Sequence, residues 1–258
     1  MLHFSQTRSA DDPTIVFLHA AGFDRRMWSA AVERLPDFNC VCIDLPGHGK
    51  SKAVEVTDFA KAGDAVAEII GTLGGAPVNI AGLSMGSYIG FQLMARHPGL
   101  VRSAVLSGFQ CDPIPSSAFL RAMMHVSSWM MVSRRSREKM ARSMGVMDVR
   151  LISQPDRRAN ASAATMRKIG ANALAFDVRV HLPDVPARTL VIAGEKEHSA
   201  ISASLPVFQD RMPNCMARQV AGLGHGWLAR DPDLFAATLK AWIRQETLPE
   251  RLASVSGA

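Results

Sequence analysis

Short unbroken apolar runs alternate with segments of three-and-four spacing along most of this chain. Thr14 to Leu18, Cys40 to Ile43, Val78 to Ala81, Val101 to Leu106 and Arg188 to Gly194 are rich in β-branched and apolar residues and too short for helices. Such runs predict strands covered on both faces, as in a parallel sheet. Between them, Trp28, Ala31, Val32 and Leu35 recur at helical spacing until Pro36, and Phe59, Ala62, Val66, Ile69, Ile70 and Leu73 do the same. Thr57 or Asp58 supplies the N-cap of that second helix, and Gly74-Gly75 its stop. Ile89, Leu93 and Met94 mark a third, ending near His97-Pro98-Gly99. Strand and helix in strict alternation imply βαβ units with right-handed crossovers.

The alternation lapses at Asp112. Residues 113–184 hold Met123, Met124, Trp129, Met130, Met131, Met140, Met144, Met147 and Met166 among basic and small residues, with broken helical periodicity and no clear strand. This predicts a helical insertion whose methionines form either its own small core or an adaptable pocket wall. The pattern then resumes with the strand at 188–194, a helix marked by Ile201, Leu205, Phe208 and Met212, a last strand from Met216 to Val220, and a closing helix bearing Phe235, Leu239, Trp242 and Ile243. The expected organisation is one α/β core (residues 1–112 and 185–247) interrupted by a helical cap insertion (113–184), with a poorly ordered tail (248–258). No internal repeat is visible.

Composition changes this picture little. The chain has 258 residues, 48% of them hydrophobic and 20% charged, ordinary for one globular domain. No apolar run approaches the ~20 residues of a membrane span. The N-terminus lacks the basic-then-apolar plan of a signal peptide, which predicts a cytoplasmic protein. The four cysteines (Cys40, Cys42, Cys111, Cys215) show no metal-ligand spacing and read as buried free thiols. Charge is more informative once located. Residues 112–184 hold twelve Lys or Arg against six Asp or Glu, which carries the whole net charge of +6. The densest stretch, Arg134 to Arg142, has no interleaved aromatics, which argues against a nucleic-acid surface. A solvated helix face or a field that attracts anions accounts for it.

The chemistry centres on Gly82-Leu83-Ser84-Met85-Gly86, placed where a strand hands over to a helix. Glycines flanking a serine allow a tight elbow that lifts its hydroxyl clear of the sheet and aims the next N–H and the helix N-terminus at any charge formed beside it. In a parallel sheet the C-terminal strand ends open on one edge, so the loops His19–Gly22, Gly82–Gly86, Gly194–His198 and Gly222–Gly226 converge there. A serine hydroxyl needs a base, and an imidazole at His225 can take and return its proton.

Over nearly its whole length the chain resembles the α/β-hydrolase family. The matching features are His19-Ala20-Ala21-Gly22, the turn Asp44-x-x-Gly47-x-Gly49-x-Ser51, the Gly82-x-Ser84-x-Gly86 elbow, and Gly224-His225 after the final strand. The resemblance implies a mostly parallel central sheet flanked by helices, with nucleophile, acid and histidine in that chain order. It assigns Ser84 as nucleophile and His225 as base, and gives the rival His19 a role in shaping the oxyanion loop. For the acid it favours Glu197, then Asp112, with Glu195 the outside candidate. The oxyanion donors would be the N–H groups of Met85 and Ala21. Ala20 departs from the family's usual glycine: if that position needs positive φ the alanine is strained, and if not the loop is merely tighter. The implied activity is a serine carboxylic-ester hydrolase acting on small or medium, largely apolar esters, with no cofactor or metal and no nucleic-acid partner; no oligomeric state is implied. Alternatives are a carbon–carbon bond hydrolase, a perhydrolase, or a non-catalytic ligand-binding protein on the same scaffold.

Overall fold

The run Thr14–Leu18 forms strand β2, and all five residues are buried because its two faces meet different layers. Ile15 and Phe17 enter one apolar cluster with Trp28, Phe235 and Trp242, while Val16 and Leu18 enter another with Val66, Ile89 and Phe208. This two-sided burial is why the strand reads as unbroken apolar sequence. The computed structural model describes residues 1–8, 13–74, 77–115, 134–143, 161–179 and 181–255.

Among the described residues eight strands make one sheet in the order β1-β3-β2-β4-β5-β6-β7-β8. They are β1 (Phe4–Gln6), β2, β3 (Asn39–Ile43), β4 (Val78–Leu83), β5 (Val101–Ser107), β6 (Arg188–Gly194), β7 (Cys215–Val220) and β8 (Leu252–Ser254). The inner pairings are parallel, whereas β1 on β3 and β8 on β7 are antiparallel. One face carries α2 (Phe59–Thr72), α3 (Met85–Arg96) and α6 (Ser199–Arg211), and the other α1 (Ser29–Val32), α7 (Trp227–Arg230) and α8 (Pro232–Arg244). Asp58 caps α2 by accepting from Lys61 N–H at 2.7 Å, and Gly74 (φ +71°) follows its end.

Two expectations need correction. Residues 248–254 are not a loose tail: Val220 pairs with Leu252 and Arg218 with Ser254, so the chain returns to cover the edge of β7. An exposed edge leaves backbone donors and acceptors unpaired, and a short added strand satisfies them without a strong apolar signal. Cys40, Cys42 and Cys111 are buried free thiols, but Cys215 is only partly buried.

Between β5 and β6 the described residues of the insertion include two α-helices, α4 (Arg134–Ser143) and α5 (Ala163–Ala175). Arg135, Lys139 and Arg142 of the basic stretch are exposed. α5 is tied to the core: Thr165 packs over Gly47, Lys168 pairs with Glu55, and Asn172 donates to Thr57 O at 3.0 Å; within the insertion Ile114 N–H donates to Leu174 O at 2.8 Å. Of the methionines singled out here, Met166 packs partly buried against the core; the side chains of the others lie outside the described residues. No described helix is long and apolar enough to cross a membrane.

Candidate active site

Ser84 links β4 to α3 at φ 52°, ψ −116°. A non-glycine residue held at such a φ costs roughly 1–3 kcal/mol and persists only where its surroundings over-determine it. Here Ser84 N–H donates to Ser107 O at 2.8 Å, and Ser84 O accepts from Ser87 N–H (2.8 Å) and Tyr88 N–H (3.2 Å). Ser107 is the anchor: its carbonyl also accepts from Ser87 Oγ at 2.7 Å, and its hydroxyl is fixed by Ile192 O and the Trp227 indole N–H. The flanking glycines are required by close approach. A Cβ on Gly86 would lie 1.9 Å from Leu18 O, and one on Gly82 would lie 2.9 Å from the Gly86 carbonyl.

The loops after β6 and β7 are joined by backbone contact. A Cβ on Gly194 would fall 2.5 Å from Leu223 O, and Lys196 N–H donates to that same oxygen at 2.8 Å. Glu197 is thereby brought against His225, with Oε2 3.0 Å and Oε1 3.1 Å from Nδ1. The Glu197 side chain is 3% exposed and the His225 side chain 32%. An ionised carboxylate only accepts, so Nδ1 carries the proton and Nε2 is left with a lone pair, as a general base requires. The imidazole lies over Gly108 (φ +70°), where a Cβ would come within 2.7 Å of Cε1 and 3.5 Å of Leu83 Cδ1. Gly108 follows Ser107, so adjacent residues seat the imidazole and hold the backbone of Ser84.

The other acid candidates are engaged elsewhere. Asp112 pairs with Arg179 at 2.9 Å on the surface, and Glu195 accepts the Gly222 N–H at 2.6 Å, bracing the histidine loop.

Directly after Ser84, Met85 opens α3, where the first N–H groups have no partner within the helix. The loop after β2 carries Ala20 and Ala21. Ala20 is absent from the positive-φ residues, the left-handed position being Gly22 at φ 81°, so alanine at 20 is unstrained. His19 is a loop brace: its Nδ1 bonds Ala20 O at 2.9 Å and its Nε2 accepts from Leu45 N–H at 3.0 Å. His48, in the turn after β3, is held in the same way: its Nε2 accepts the Gly22 N–H at 3.0 Å and its Nδ1 bonds Pro46 O at 2.9 Å. Burial lowers the affinity of both rings for a second proton, and pushes His48 down to about 3. The only signal for His48 in the sequence is its place between Gly47 and Gly49. Gly49 (φ +52°) is needed there because a Cβ would lie 2.5 Å from the Asp44 carboxylate, which accepts from Lys50 N–H, Arg25 N–H and Arg25 Nη1.

Among the described residues no three His, Cys, Asp or Glu side chains group as for a metal ion. A groove of about 590 Å³ bordered by Arg188, Arg218 and Trp242 lies where β6 and β7 begin, at the edge opposite these loops, and takes no part in the arrangement.

The sequence matches the alpha/beta hydrolase family over residues 15–238. A pimeloyl-[acyl-carrier protein] methyl ester esterase of Neisseria meningitidis serogroup C is 37% identical over 94 residues, 36% of this chain and 35% of that protein. The chain thus aligns with about a third of the length of such relatives. Among solved structures, an esterase of Exiguobacterium antarcticum superposes with a TM-score of 0.78 at 16% identity, over 94% of this chain and 95% of that one. A thermophilic esterase of Thermogutta terrifontis gives 0.72 at 21% identity, over 95% and 93%. At these identities the structural likenesses speak for the fold.

Proposed function

Because the chain belongs to the alpha/beta hydrolase family, we propose that it is a serine hydrolase that cleaves small to medium, largely apolar carboxylic esters through an acyl-enzyme at Ser84. The observation that carries this reading is the buried Glu197 carboxylate 3.0 Å from His225 Nδ1, on the same sheet edge as a serine held at positive φ. As Ser84 Oγ attacks the ester carbonyl, His225 Nε2 takes its proton and Glu197 stabilises the imidazolium. The N–H groups of Met85 and Ala21 bind the oxyanion, a single such donor being worth about 3 kcal/mol. Collapse expels the alcohol, which receives the proton from His225. Water then attacks the acyl-enzyme by the same route, and the acid leaves with Ser84 restored.

The methyl ester esterase among the relatives supports an ester substrate. Turnover of p-nitrophenyl esters from acetate to octanoate tests the reading. Activity that falls by about 10⁴-fold or more in Ser84→Ala is the expected result. A parent protein that cleaves none of these esters would overturn it.

A further inference from the structure

We propose that His48 is a positioning residue for this reaction, acting with His19 as a reciprocal clasp that aims the Ala21 N–H at the oxyanion; the proposal rests on the ester-hydrolase reading. The loop after β2 and the turn after β3 leave neighbouring strand ends, Leu18 beside Ile43. Each lends a histidine to the other. His19 Nε2 accepts Leu45 N–H from the turn, and His48 Nε2 accepts Gly22 N–H from the loop, both at 3.0 Å. Each ring's Nδ1 bonds a carbonyl of its own segment, Ala20 O and Pro46 O, both at 2.9 Å.

These partners determine the tautomer. A backbone carbonyl only accepts and a backbone N–H only donates, so both rings are neutral with the proton on Nδ1. No other side chain presents a donor and an acceptor at the two ends of one rigid ring. The rings meet edge to face at 5.0 Å and are fully buried. The charged groups around them are already engaged: Asp24 with Arg26, and Asp44 with Arg25 and the Lys50 N–H, His3 lying 3.6 Å from Asp44.

The consequence for Ala21 follows from peptide planarity. Ala20 O and Ala21 N–H belong to one planar trans unit and point in opposite directions, so fixing the oxygen aims the N–H. Ala20 O is fixed by His19 Nδ1–H and by Phe23 N–H at 3.2 Å. The next peptide is fixed through Gly22 N–H by His48. Ala21 is therefore held at both of its flanking peptides, and loss of His48 frees one of them while leaving Gly22 N–H without its acceptor.

His48→Phe keeps the ring volume and removes both nitrogens; His48→Gln retains an acceptor of similar reach. On p-nitrophenyl butyrate, His48→Phe is expected to lower kcat by about 10- to 100-fold with KM changed less than about threefold, because the lost alignment matters to the oxyanion more than to the ground state. His48→Gln should recover to within about fivefold of the parent. Folded His48→Phe with parental kcat, or with its whole loss in KM, overturns the proposal. A readout free of turnover is nitrogen NMR of the parent labelled at histidine. Two rings should carry the proton on Nδ1 and hold that state from about pH 5 to pH 8, across the range where a free imidazole titrates. A proton on Nε2 of either ring, or titration of either in that range, overturns the clasp even if neither variant folds. A parent inert to esters but with both rings in the stated tautomer would sink the ester reading and leave the clasp standing.

Discussion

His19 and His48 are sealed from solvent and commit both ring nitrogens to backbone groups, whereas His225 is 32% exposed and commits one, to a carboxylate. The loops after β2 and β3 use imidazole as a rigid spacer with a donor at one end and an acceptor at the other. The loops after β6 and β7 hold it by one nitrogen, with Nε2 engaged by no described residue and so open to the proposed role of base. The same side chain does two jobs on one sheet edge, and what separates them is whether a nitrogen is left over. Burial enforces the division, since a second proton on a buried ring would bring an uncompensated charge into the core.

The sharpest way to break this contrast is to remove what gives His225 its orientation. Glu197→Gln should lower kcat by about 10³-fold, because the amide no longer fixes the tautomer or stabilises the imidazolium. Steady-state kinetics on the best p-nitrophenyl ester would measure it, and a loss below about tenfold would mean that the carboxylate only packs there.

Gly108→Ala attacks the seat of the base. Its Cβ must enter the space of the imidazole at a φ that alanine disfavours, so kcat should fall by about 10- to 100-fold and stability by ~1–2 kcal/mol. Unchanged kinetics would show that the ring does not depend on that seat.

On the clasp side a second effect, besides that on kcat, is on stability. His48 binds a second proton far less readily when folded than the ordinary imidazole value of 6.5. Below about pH 6.5 the unfolded chain takes up protons that the folded ring refuses, so this contribution is full above that pH and declines as pH falls toward 3. Urea midpoints at pH 7.5 and pH 5 should therefore drop less in His48→Gln than in the parent. Equal drops would mean that His48 adds nothing to acid sensitivity. The smallest effect belongs to Asp112→Asn, which should leave kcat within about twofold, since its carboxylate meets Arg179 at the surface. A loss as large as that of Glu197→Gln would reverse the assignment of the acid.

Much of this was legible in the chain. Runs such as Ile15-Val16-Phe17-Leu18 announce a buried parallel strand because both faces must be apolar, and the Gly82–Gly86 spacing announces the elbow because only glycine tolerates the approach of Leu18 O and its own helix. The edge strands β1 and β8 were not legible: each has three residues and one dry face at most, so backbone pairing rather than side-chain pattern defines them. Ser107 and Gly108 were missed for a related reason. Their contacts are with residues distant in sequence, and a serine and a glycine at a strand end have no periodicity to mark them.

By itself the sequence determined the layered architecture and the glycine-flanked elbow at Ser84, because local periodicity and glycine placement are properties of neighbours along the chain; the order of acid and histidine after that serine is what the family resemblance implies. Which carboxylate meets His225, whether Ala20 is strained, and why a second histidine sits in the turn after β3 were decided by tertiary structure. Those questions depend on distances of about 3 Å between loops tens to more than a hundred residues apart, set by how eight strands align and not by any one of them.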